Sequence, residues 1–252
     1  MSHIVKIRLL WGIVIAVVVA AALTPRIPQD PHYHDFAATG GWLAIPNLGN
    51  ILSNLLFLWV GVLGLYRFAR GGLQLLRGIY TAYVGFFVGM IAIAVGSGYY
   101  HWVPDNVSLA VDRLAMTIAF VAFFCILLAE RVSLPAARRL FPLLMLVGPA
   151  SVIYWLSSEL ADHGDLRPYA VVQFLPILLT PLLLALFPPR YDRGADLLWM
   201  LAWYLVAKVC EAFDHEFLEW TGFLSGHAAK HLLAGVACVV FLRHLHLRRP
   251  VG

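Results

Sequence analysis

The chain has 252 residues, of which 61% are hydrophobic and only 13% charged, against about 25% charged in an ordinary soluble domain. A water-soluble fold of this length cannot hide so much apolar surface, so the solvent around most of it is lipid. The formal net charge of +4 comes from basic residues placed singly at the ends of apolar runs, a pattern of membrane topology and not of nucleic-acid binding.

Crossing a bilayer takes roughly 20 apolar residues per helix, and eight apolar segments follow one another along the chain. The first, about residues 9–24, has a basic start and an Ala20-Ala21-Ala22 run, so it reads as a retained anchor helix or a signal segment. Segments 47–67 and 78–101 are parted by Gly71-Gly72, and 109–130 follows the Pro104-Asp105-Asn106 turn. Segment 136–157 begins beside Pro135, 168–188 follows His163-Gly164-Asp165, 194–213 follows Pro188-Pro189, and 225–246 comes last. None alternates with period two as a barrel strand does, which leaves helices as the backbone solution inside lipid. The expected fold is an all-α polytopic membrane helix bundle. Residues 1–44 form the N-terminal anchor or signal segment and an outer loop, and residues 45–252 form a seven-helix core.

Lys and Arg orient the bundle. Lys6, Arg8, Arg67, Arg70, Arg77, Arg131, Arg138, Arg139, Arg190, Arg193, Arg243, Arg248 and Arg249 fall on the side of the N-terminus. Only Arg26 and Arg167 fall in the opposite loops. With basic loops inside, both termini are cytoplasmic if the first segment is retained. Short loops around a compact core point to a bacterial plasma membrane. The three cysteines, Cys125, Cys210 and Cys238, lie within apolar runs and read as small buried hydrophobes.

Ionisable groups within spans are costly and mark function by default. Ser97 and His101 are four residues apart at the outer end of the third segment and share a helix face; Asp112 begins the next helix after the Pro104 turn. His227 and His231 form an i,i+4 pair at the outer start of the last segment, a spacing that suits two ligands of one metal. The topology puts these groups at one depth. Three imidazoles with one open position make a catalytic zinc arrangement, whereas a bis-histidine haem would leave the third histidine and Asp112 unused. Lys208, Glu211, Asp214 and His215 form a further cluster, read either as charge neutralisation within the membrane or as a polar wall of a substrate cavity. Their spacing permits Lys208–Glu211 and Glu211–His215 contacts. His32, His34 and His163 are expected to be solvated, and His244 and His246 to face headgroups. Asn50, Ser53 and Asn54 are expected to join helices by hydrogen bonds.

Together these residues resemble the alkaline ceramidase family, within the wider group of seven-helix membrane hydrolases and adiponectin/progestin-type receptors. The resemblance rests on Asn50-x-x-Ser53-Asn54, Gly96-Ser97-x-x-x-His101, Asp112-Arg113-Leu114-Ala115-Met116 and His227-x-x-x-His231, and it covers roughly residues 45–246. It implies zinc held by His101, His227 and His231 with Ser97 and Asp112 beside it, and cleavage of the amide of a ceramide-like membrane lipid to a fatty acid and a sphingoid base. The family's acidic calcium stretch, Asp-Trp-x-Glu, is replaced by Asp30-Pro-His-Tyr-His-Asp35, which puts calcium in doubt. Arg113 and Ala115 stand where the family has Glu and Pro.

The expected chemistry gives Asp112 the role of general base toward water and acid toward the leaving amine; its alternative role is to orient a ligand imidazole. Ser97 would donate to the developing oxyanion or else satisfy a helix carbonyl. Protonated imidazoles cannot bind metal, so metal and activity should both be lost in acid. The rival readings are a receptor-like or lipid-binding protein with a structural zinc, and a transporter. Internal repeats and broken mid-membrane helices, frequent in transporters, are not visible in the sequence.

Overall fold

The computed structural model describes residues 1–38 and 45–251; the expected boundary between residues 44 and 45 lies at the edge of the stretch outside the described residues. The helices are α1 (His3–Leu23), α2 (Leu48–Ser53), α3 (Leu55–Ala69), α4 (Tyr80–Trp102), α5 (Asn106–Arg131), α6 (Leu134–Leu160), α7 (Arg167–Leu186), α8 (Gly194–Ala212), α9 (Asp214–Thr221) and α10 (Gly226–Leu247). A 3-10 turn covers Pro31–His34. Among the described residues seven spans, with α2 and α3 counted as one, are long and apolar enough to cross a membrane. The remaining long helix, α8, carries Asp196, Lys208 and Glu211. Each of these charges is paired: Asp196 with Arg193, and Glu211 with both Lys208 and Lys230. The chain is an all-α polytopic bundle, as its long apolar segments imply.

Local chemistry explains the boundaries. Asp105 accepts from the Ser108 N–H at 2.7 Å, and Ser108 Oγ accepts from the Asp105 N–H at 3.1 Å. This capping box starts α5 three residues before the expected position and folds it back against α4. Helix α9 is an element the apolar pattern does not announce. Asp214 and Glu216 in its first turn suit a helix N-terminus, and Gly222 at φ 74° closes it in the left-handed region.

Hydrogen bonds between helix ends define two faces. At one face Lys6 of α1 donates to the Leu186 carbonyl of α7, Arg131 of α5 to Phe187, and the Gln74 N–H after α3 to Leu245 of α10. At the other, Leu166 before α7 donates to Ile27 after α1, and Asn47 before α2 to the carbonyl of His101 at the end of α4. Helices therefore alternate in direction. Helices α4, α5 and α10 are the most buried and α1 is peripheral, packing on α7. Gly96 lets α4 and α5 approach closely: a Cβ there would press on the Val111 carbonyl and the Asp112 backbone, the small-residue contact that membrane helices favour. The outer surface carries large apolar side chains such as Leu146 (72% exposed) and Val95 (66%), as a lipid-facing surface should.

The first face holds a buried polar knot. Arg248, with no exposed surface, grips both oxygens of Glu130 at 2.7 and 2.8 Å, donates to Tyr83 and to the Gln74 carbonyl, and lies 3.9 Å over the Tyr191 ring. His244 belongs to this knot and does not face headgroups as expected. Asp196 from α8, 3.7 Å away, and Arg248, 3.3 Å away, give its ring polar company inside the bundle.

Candidate metal centre

Three buried imidazoles meet at the second face. His101 comes from the last turn of α4, His227 and His231 from the first turns of α10. Their ring centroids form a near-equilateral triangle of 4.8, 4.9 and 5.0 Å, and one nitrogen from each lies within 4.8 Å of the others. The start of α10 is fixed from several sides. Ser225 caps it by accepting from Ala228 at 3.1 Å, and Asp214 Oδ1 accepts the His227 N–H at 2.7 Å. Gly226 sits so close to α8 that any Cβ would collide with the Cys210 carbonyl.

The donor set fits a metal ion. Among the described residues neither ring nitrogen of His101 has a partner, and a buried polar atom left unpaired is costly unless something absent from the polypeptide satisfies it. His231 is prepared for a ligand role. Asn50 O lies 3.2 Å from its Nδ1, and Ser53 Oγ, which itself donates to Asn50 O at 2.8 Å, lies 2.9 Å away. A carbonyl can only accept, so Nδ1 carries the proton and Nε2 offers its lone pair. The carbonyl is free for this because the chain breaks between α2 and α3. The Asn54 N–H turns to Ile51 O, and Asn50 O receives instead the Asn54 side-chain amide at 2.8 Å, Ser53 and His231. Lys230 places its ammonium 2.8 Å from His227 Nε2 and 3.1 Å from Glu211, so that ring nitrogen accepts from a lysine whose charge Glu211 offsets.

A cavity of about 170 Å³ adjoins the cluster and is lined by His231. Its polar end contains Ser97, Asp112, Arg113, Lys208, Glu211, Lys230 and His231. From there it runs between α4, α5, α7, α8 and α10 past Met90, Phe86, Phe120, Phe123 and Leu197. The stretch of α4 from Ser97 to Phe86 alone is about 16 Å long. Asp112 is buried and makes no hydrogen bond or ion pair among the described residues; the Ser97 hydroxyl is equally unpartnered and satisfies no helix carbonyl.

The second polar cluster divides. Lys208 and Glu211 pair and line the cavity. Asp214 instead ties backbone together, accepting from His227 and from Ala37 at 2.9 Å. His215 turns to the Asp35 carbonyl at 3.4 Å, not to Glu211. Residues 29–37 prove part of the site. Tyr33 donates to Glu211, Gln29 accepts from Arg113, and Phe36 meets His101 and His227 edge-on at 4.6 and 4.7 Å. His34 is half-buried, bonded to Tyr100 and Asn106, and not solvated as expected. The sequence offered no periodicity here, only the concentration of aromatic rings between two helices.

Comparison with known proteins adds a family. The model described as Ceramidase matches residues 44–179, more than half the chain. The matched stretch contains Asn50, Ser53, Asn54, Ser97, His101 and Asp112, and it stops before α8 and the two histidines of α10. No curated protein and no solved structure matches the chain.

Proposed function

This chain belongs to the ceramidase family, whose members are hydrolases acting on ceramide, and from that premise we propose that it is a zinc-dependent amidase cleaving ceramide-like lipids to a fatty acid and a sphingoid base. The observation that carries the reading is the convergence of His101, His227 and His231 at the polar end of a long apolar cavity. Three protein ligands beside a cavity, with no fourth among the described residues, favour an open catalytic site over a closed structural one.

Zinc held by the three imidazoles would supply Lewis acidity at the amide carbonyl and make water more acidic. The other tasks fall to the chain. The apolar shaft takes the acyl chain, which aligns the amide with the polar end. Asp112, unpaired and facing the cavity, takes the proton from water and returns it to the leaving nitrogen. The free Ser97 hydroxyl donates to the oxygen that gains charge as the carbonyl is attacked. Glu211, held by Lys208 and Lys230, offsets part of the positive charge around the cluster. Basic residues gather at the opposite face, so the site opens toward the extracytoplasmic side of a plasma membrane.

The test pairs metal analysis with a ceramide-cleavage assay. The wild type should hold about one zinc per chain and cleave. His231→Ala should lose both metal and activity. Asp112→Asn should keep the metal and fall by about 10²- to 10⁴-fold in kcat. A zinc-loaded wild type that cleaves no amide would overturn the enzyme and leave the receptor-like reading.

A further inference from the structure

Arg113 is the one cation at the polar end of the cavity for which the described residues supply no ion-pair partner. It is 6% exposed, and no carboxylate lies within ion-pair distance. Glu211 is taken by two lysines. The Arg113 guanidinium is caged by the rings of Trp155 at 4.1 Å, Tyr169 at 4.9 Å and Tyr33 at 5.6 Å. Nη2 donates to Gln29 Oε1 at 2.8 Å, whereas Nη1 is buried with no partner among the described residues. A guanidinium held rigid in an aromatic cage with one idle N–H is built to receive an anion. An unpaired buried cation is otherwise expensive.

We propose that Arg113 is a specificity residue that binds an anionic group on the amine half of the substrate, so that the preferred substrate is an acidic amide lipid. The proposal rests on the hydrolase reading above. The acyl half belongs in the apolar shaft, which leaves the amine half near the mouth. There the guanidinium reaches away from the helix axis toward Gln29 and Tyr33 of the outer loop. The shared chemistry is an oxyanion: a carboxylate, as in an acyl amino acid, or a phosphate, as on a phosphorylated sphingoid base.

The experiment compares substrates of equal chain length with the zinc-loaded full chain: N-palmitoylglycine against N-palmitoylethanolamine for the carboxylate, and ceramide 1-phosphate against ceramide for the phosphate. In at least one pair kcat/KM should favour the acidic member by about tenfold or more, and the favoured pair identifies the anion. Arg113→Gln should erase that preference through KM, and Arg113→Lys should keep part of it. Binding of the same pairs to the full chain without added zinc, followed by calorimetry, should show the same preference. Equal cleavage of both members of both pairs overturns the anion site and leaves the hydrolase intact. Selective binding of an acidic member with no cleavage of any amide overturns the hydrolase and supports the anion site. If Arg113→Gln does not fold, the wild-type ratios and Arg113→Lys still decide.

Discussion

Ser53 shows how a small hydroxyl gains a task from its surroundings. Its oxygen bridges the Asn50 carbonyl and His231 Nδ1, so it fixes which imidazole nitrogen is free. Ser53→Ala removes this support and leaves the Asn50 carbonyl bond. Metal affinity should fall by about tenfold, read by competition with a chelator, with smaller loss of activity when zinc is saturating. From sequence alone Ser53 read as a helix-joining residue, because a serine in an apolar run says nothing about which side chain it meets. The histidines were legible for the opposite reason. His227 and His231 are placed by helix periodicity, and His101 by topology, so their meeting follows from geometry that the chain fixes locally. Arg113 was legible only as a departure from a family pattern; its cage draws on three distant segments, and no spacing reveals it.

At the scale of elements, the helices followed from apolar length and their ends from caps. The misses occurred where polar chemistry, not hydrophobicity, makes the structure: the short acidic α9, the break between α2 and α3, and the loop across the site. The connection between α6 and α7 is such a place. Asp165 accepts from the Arg167 guanidinium at 2.7 Å, from the Arg167 N–H at 3.1 Å and from the Tyr154 hydroxyl at 3.1 Å. The bond from the Arg167 side chain, foremost, holds its carboxyl down at about 2. A depressed carboxyl stabilises the fold above its unfolded pKa near 4, and that contribution disappears as pH falls through about 2. Asp165→Asn should therefore cost about 1–2 kcal/mol at neutral pH, seen as a lower Tm in detergent, and the gap to wild type should close between about pH 4 and pH 2.

Across the whole molecule, chemistry and anchorage sit at opposite ends of the bundle. The Arg248–Glu130–Tyr83 knot ties α4, α5 and the end of α10 together far from the imidazoles. Glu130→Gln leaves a buried guanidinium without its carboxylate and should destabilise the fold by about 3–5 kcal/mol, measured by thermal unfolding. Zinc bound to the surviving folded fraction should be unchanged. His244 read as a headgroup contact because its neighbours in sequence are basic; only the packing of α8 shows that the bundle closes over it.

Phe36 carries one more consequence. It stoppers the imidazole triangle from above, yet it lies in the connection after α1 and not in the stretch that begins at residue 45. A fragment starting there would retain every nitrogen donor and still have its metal pocket open to bulk water, which would compete for the ion and for the lipid's seat. The connection that carries Phe36 would thus act as a cork for the proposed metal site.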